Sequence, residues 1–285
     1  MDNYICIRCR ISAGLEEELP ELFSRLPVLG TEIDTDSKGR VRATVFLSES
    51  DTASAQSVRT VLENCGALGI EERFLPADDW LAEYREQVQP FSVGERWWID
   101  PHPERPTVVP GGRRRLVVEP RMAFGTGTHE STQAILLALE DLEVSNRRVL
   151  DVGTGSGILA LAAERLGARL VVGLDIDEMA IRVAAETARQ QDWESSVSFI
   201  LGSMGCIGQV EFDIVLCNMI AANLLPLAGD LQRIAGVDGI VVCSGLLASE
   251  IPTVTDVLDA TGLRLISKRQ LGDWACLTAS RAGVS

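Results

Sequence analysis

Positive charge is the first thing this sequence is short of. It carries 26 lysines and arginines against 41 acids, a formal net charge of −15. A protein that grips nucleic acid through its phosphates needs the opposite balance, so no direct nucleic-acid contact is expected. An acidic surface attracts basic partners at long range and also keeps a chain soluble; charge alone leaves both readings open. Long apolar runs are missing as well, and none reaches a membrane span. The start, "MDNYICIRCRIS", has neither the basic opening nor the apolar middle of a signal peptide, so a cytoplasmic chain is expected. Paired cysteines are scarce too. The seven cysteines are an odd number, scattered singly, as expected where thiols stay reduced. The one CxxC, Cys6 to Cys9, falls in a run that alternates like a strand, which sends the two side chains to opposite faces. With no second CxxC and no histidine nearby, no metal site is expected. Internal repeats and low-complexity segments are also absent.

What is present is a globular composition, 46% hydrophobic over 285 residues, enough for one large domain and a smaller one. The first 75 residues read as β-α-β-β-α-β, the order of a small α+β ferredoxin-like sandwich. "DTASAQSVRTVLENCG" in that span has an Asp or Thr N-cap and a C-cap signal at Gly66. Residues 76–90 read as a helical connector, with Trp80 and Tyr84 one turn apart on a helix over 78–88. Short β-like pieces broken by prolines follow, and "GGRRR" reads there as a solvated turn. From Asn146 onward strands and helices alternate, the signature of a doubly wound parallel sheet. Seven strands are expected, making 91–285 an α/β, Rossmann-like domain.

The nucleotide loop lies in "VLDVGTGSG". A strand ending in Asp151 and Val152 runs into Gly153, Gly155 and Gly157, and a helix follows at once. Glycines let backbone approach a ligand, and the helix start offers free N–H groups. The dinucleotide fingerprint wants G-x-G-x-x-G, but Ile158 stands at the last glycine position. Asp175 ends the second strand, where a carboxylate can accept both hydroxyls of a ribose. A ribose without a pyrophosphate cradle points to S-adenosylmethionine over NAD. Asn218 ends the fourth strand at the edge where such sheets bind ligands, and its amide could position a nitrogen nucleophile.

A second glycine run, "RMAFGTGTHEST", lies just upstream. Thr128, Glu130, Ser131 and Thr132 suit the N-terminus of the following helix. Capping does not account for Phe124 or for two glycines two apart. In order, "MAFGTGTHEST", "VLDVGTGSGILALAAERLGA", "VVGLDIDEMAI", "FDIVLCNMIAANLLPLA", "SGLLASEIPTV" and "GDWACL" resemble the ribosomal protein L11 methyltransferases. The connector "DDWLAEYREQVQPFSVGERWWIDP" fits as well, while the first 75 residues fit least.

The resemblance implies a protein N-methyltransferase that moves methyl groups from S-adenosylmethionine to lysine or N-terminal amines of a ribosomal protein. It implies that the N-terminal sandwich holds this basic substrate and that the linker lets it swing. Carried over by position, Thr132, Gly153, Asp175 and Asn218 would contact the cofactor, with Asp151 and Gly155 beside them. Phe124 and the Gly125–Thr128 backbone, Thr126 included, would close on the methionine end and the incoming amine. Met122, Met219 and Ile220 depart from the family pattern by apolar exchanges only. No acid follows the third strand at Gly202–Ser203, which leaves the adenine amine to backbone or water. A monomer is expected. Three alternatives stand beside this reading: a lysine methyltransferase of another protein such as the electron-transfer flavoprotein, an NAD-dependent oxidoreductase, and a binding module without catalysis. His129 reads equally as a cap and as a proton acceptor, and His102, between two prolines, as a surface loop residue.

Overall fold

The computed structural model describes residues 4–12, 15, 19, 22–23, 26–28, 30–35, 41–49, 51–75, 88–105, 107–119 and 127–281. The chain divides into two compact units, Met1–Gln87 and Val88–Ser285. The helix expected over 78–88 lies outside the described residues except for Val88.

In the first unit, β1 (Tyr4–Ile11), β2 (Gly30–Thr35), β3 (Val41–Ser48) and β4 (Leu68–Leu75) form one sheet in the order β2-β3-β1-β4. Every neighbouring pair is antiparallel. Alternation supplies the core: Ile5, Ile7, Cys9 and Ile11 meet Val41, Ala43, Val45 and Leu47 on one face. Helix α1 (Thr52–Asn64) covers that face with Ala55, Val58 and Leu62. The Asp51 side chain caps it by accepting from the Ser54 amide, and Gly66 turns the chain out at a φ of 76°. Of the expected first helix, Leu19 and Phe23 are described and buried in the same core. Cys6 and Cys9 are both buried and neither is in a disulfide; three positions apart on a strand, they lie on opposite faces. Among the described residues no cluster of histidine, cysteine and carboxylates could hold a metal.

The second unit opens with β5 (Phe91–Val93), β6 (Trp97–Asp100) and β7 (Arg114–Val117), a three-stranded sheet. "GGRRR" is therefore not a simple solvated turn. Arg114 and Arg115 belong to β7, and Arg115 Nε donates to Asp100 Oδ2 at 2.8 Å. Asp100 is fully buried, so its charge needs that partner. His102 corrects a second expectation. It is buried rather than surface-exposed, and its Nε2 lies 2.9 Å from the Val88 carbonyl oxygen.

After helix α2 (Glu130–Asp141) the α/β alternation runs as expected. It comprises β8 (Arg148–Val152), α3 (Ile158–Arg165), β9 (Leu170–Asp175), α4 (Glu178–Arg189), β10 (Ser198–Leu201) and β11 (Phe212–Asn218). Then come α5 (Ala221–Leu224), α6 (Ala228–Ile234), β12 (Ala235–Leu247), α7 (Ile251–Ala260), β13 (Leu263–Leu271) and β14 (Trp274–Arg281). The seven-stranded sheet has the order β10-β9-β8-β11-β12-β14-β13. All neighbours are parallel except β14, which is antiparallel to both β12 and β13. Both faces are covered. Leu150, Val152, Val215 and Cys217 pack against α5, α6 and α7, while Val149 and Leu216 pack against α2 and α3. The strand order reverses between β8 and β11, the switch point beyond whose strand carboxyl ends open α/β sheets bind their ligands.

Candidate active site

The loop after β8 is pinned before any ligand arrives. The Gly153 and Thr154 amides both donate to the Leu174 carbonyl of β9, at 2.8 and 3.0 Å. The Gly155 amide donates to Asp175 Oδ2 at 3.0 Å, and the Asp177 amide to Oδ1 at 3.0 Å. Asp175 thus ties the ends of two loops together. A carboxylate offers about four lone-pair sites, so each oxygen keeps room for a hydroxyl. Exposed apolar side chains of Ile176 and Leu201 stand at the ends of β9 and β10, and that of Met179 in the first turn of α4.

Asp151 sits beneath this loop, fully buried, with Oδ2 accepting from the Thr154 hydroxyl at 2.7 Å. Its Oδ1 has no hydrogen-bond partner among the described residues. Burial drives its pKa up to about 7, against the pull of the Thr154 hydroxyl and the Ala160 backbone, with nearby Asp175 adding to the rise. Burial likewise raises the Cys217 thiol on β11, and the charge of Asp151 adds to it.

On the other side of the switch point, Asn218 closes β11. Its Nδ2 donates to Thr132 Oγ1 at 3.1 Å, and its Oδ1 is buried with no partner among the described residues. Thr132 is fully buried in the first turn of α2. The cap of that helix is His129: its Nδ1 accepts from the Ser131 amide at 3.2 Å. Accepting there places the proton of the neutral ring on Nε2. The His129 ring meets Trp274 edge-on, with centroids 4.6 Å apart.

Gly127 brings the two glycine runs together. Its φ is +81°, and a Cβ there would lie 2.9 Å from Ile158 Cδ1 and 3.1 Å from Ile99 Cγ2. Ile158, the residue that breaks the dinucleotide fingerprint, therefore packs against the upstream glycine run. The neighbouring Thr128 carbonyl accepts from Gln133 Nε2 at 2.8 Å. Phe124, Gly125 and Thr126 lie outside the described residues. So the structure brings Thr132 to Asn218 and Gly155 to Asp175, and puts Asp151 below the loop. Nothing local in the sequence signals the His129–Trp274 contact or the burial of His102. The departure at Ile158 was the one visible signal of the Gly127 packing.

The family model described as "Ribosomal protein L11 methyltransferase (PrmA)" matches residues 18–282. The ribosomal protein L11 methyltransferase of Deinococcus radiodurans is 34% identical over 271 residues, covering 83% of this chain and 98% of that protein. Its namesake from Geobacter sulfurreducens is 35% identical over 299 residues, covering 96% and 97%. Among solved structures, the ribosomal protein L11 methylase of Lactobacillus delbrueckii subsp. bulgaricus superposes with a TM-score of 0.64 at 28% identity. That match covers 68% of this chain and all of the other.

Proposed function

The chain belongs to the ribosomal protein L11 methyltransferase family, and we propose that it transfers methyl groups from S-adenosylmethionine to amines of that ribosomal protein. One observation carries the site assignment: the buried Asn218 Oδ1 lacks a donor among the described residues while its Nδ2 is fixed on Thr132. A buried acceptor left unpaired costs about 1–3 kcal/mol, so a donor from a ligand is favoured there. An amine of the cofactor or of the substrate supplies such a donor.

The residues fit the cofactor. Asp175 keeps acceptor capacity for a ribose, and exposed Ile176 and Leu201 offer apolar surface to a base. Gly153, Gly155 and Thr132 line the approach between β8 and α2. When bound, S-adenosylmethionine supplies a sulfonium methyl open to in-line displacement. The chain's own task is then alignment, the main source of rate in such a step. The incoming amine must be neutral to present a lone pair, and an α-amine near ~7.7–8.0 reaches that state more easily than a lysine near ~10.4. Asp151, sealed under its loop, and His129 Nδ1, engaged by the Ser131 amide, are not placed to take its proton. Phe124, Gly125, Thr126 and Thr128 complete this reading as the wall at the reactive end.

The first unit is proposed as the ferredoxin-like holder of the basic substrate, over 1–75, with 76–90 as the linker and 91–285 as the catalytic domain. Its antiparallel order β2-β3-β1-β4 under α1 supports that assignment. The reading includes a cytoplasmic monomer; that none of the seven cysteines is in a disulfide fits a reducing compartment. The oxidoreductase alternative weakens because Ile158 fills the space against Gly127. Calorimetric titration with S-adenosylmethionine and with NAD tests the cofactor: heat is expected from the first alone, and heat from NAD alone overturns the reading.

A further inference from the structure

One aromatic ring accounts for two glycines, one in a strand and one in the nucleotide loop. Gly173 lies within β9, in register with Phe199 of β10 on one side and Asp151 of β8 on the other. Residues in register on adjacent strands share a face of the sheet. The row Phe199–Gly173–Asp151 therefore has a gap at its middle position. Gly173 does not have a positive φ, so space rather than backbone shape calls for glycine there. Phe199 takes that space: a Cβ at Gly173 would lie 2.6 Å from Phe199 Cδ1 and 2.8 Å from Thr154 Oγ1. The outer end of the same ring bears on the far end of the loop. A Cβ at Gly157 would lie 3.0 Å from Phe199 Cζ and 3.1 Å from Cε1, with Ala184 of α4 next at 3.2 Å.

The loop is thus held from two directions. Backbone bonds to the Leu174 carbonyl and the Asp175 carboxylate tie Gly153, Thr154 and Gly155 to β9. Those bonds stop short of Gly157, the N-cap of α3, whose own amide donates to the Thr154 carbonyl at 2.8 Å. There the nearest support is the Phe199 ring, which stands on the edge strand of the sheet. A loop with three glycines has many backbone states open to it. Without a packed support the binding-competent state becomes a fraction of the whole, and the apparent Kd rises by the inverse of that fraction.

We propose that Phe199 is a positioning residue for the cofactor: its ring crosses the gap at Gly173, packs against Gly157 and holds the glycine loop in its binding shape. This inference rests on the S-adenosylmethionine reading above.

The test uses the full chain and two readouts, the first of which needs no cofactor. In Phe199→Ala, hydrogen exchange of the Gly155 and Gly157 amides is expected to speed up roughly tenfold, with the amides of α2 unchanged. The calorimetric Kd for S-adenosylmethionine is expected to rise roughly fivefold to tenfold. Phe199→Leu refills the gap over Gly173 but falls short of Gly157, and its Kd is expected to stay raised by about threefold. Gly173→Ala alone is expected to weaken binding, because it displaces the ring. Added to Phe199→Ala it is expected to change the Kd no further, since the space is then vacant. A merely structural role lowers the urea midpoint and leaves loop exchange and Kd as they are. That result in either folded Phe199 variant overturns the proposal, and so do additive effects of Gly173→Ala and Phe199→Ala. Should the alanine variant not fold, the leucine variant decides alone. A wild type that binds no S-adenosylmethionine is a separate result, which contradicts the functional reading and this inference with it.

Discussion

Asn218 Nδ2 donates to Thr132 Oγ1 at 3.1 Å, joining the end of β11 to the first turn of α2 across 86 residues of sequence. The bond fixes the amide plane, so Oδ1, which has no partner among the described residues, has a set direction. Thr132→Val keeps the shape and removes the acceptor, leaving a buried Nδ2 unsatisfied. That penalty is about 1–3 kcal/mol. Weaker S-adenosylmethionine binding by roughly tenfold is expected, read by calorimetry, with the fold retained by circular dichroism. Binding equal to wild type removes Thr132 from the site.

Gly127 has no room for a side chain. Its φ of +81° and the 2.9 Å approach to Ile158 Cδ1 both oppose alanine. Gly127→Ala is expected to lose about 1–3 kcal/mol of stability and most of the methyl transfer. Adding Ile158→Ala relieves the crowding but not the backbone strain, so only part of the activity should return. Full recovery in the double variant shows that φ does not matter there.

The doubly wound sheet was legible because its period is local. Runs such as "RRVLDVG" and "EFDIVLCN" are buried on both faces and read as continuous apolar strands wherever they stand. The glycine loop was legible for the same reason: turn, helix start and strand end sit within one short stretch. Contacts between distant segments were not. His102 lies between two prolines, which read as a surface loop, and its burial depends on Asp100, Arg115 and the Val88 carbonyl. "GGRRR" read as solvated because the acid that binds Arg115 comes from another strand. Asp175 was read for its ribose, and its grip on the Gly155 and Asp177 amides was not visible in spacing.

Asp151 sets a pH signature. Its folded pKa near 7 exceeds the ordinary 3.8, so the folded state binds the proton more tightly than the unfolded state. Stability contributed by this group therefore falls as pH rises between those two values and is flat outside them. Asp151→Asn abolishes the titration while keeping an acceptor for Thr154. The urea midpoint of the variant, relative to wild type, is expected to be higher at about pH 8 than at about pH 5. Parallel midpoints at both pH values show that Asp151 is ionised throughout.

Arg115→Ala strands the buried Asp100 carboxylate. Loss of one partner from a buried ion pair costs about 3–5 kcal/mol. A drop of that size in chemical denaturation is expected, against well under about 1 kcal/mol for Arg182→Ala, whose pair with Glu178 is exposed. Equal small effects contradict the burial described for β6 and β7.

The most direct measurement is intact-mass spectrometry of ribosomal protein L11 after incubation with the full chain and S-adenosylmethionine. The expected result is a mass gain in whole methyl increments, strongly reduced by Asn218→Ala. An unmodified L11, produced by a chain that demonstrably binds S-adenosylmethionine, contradicts the account.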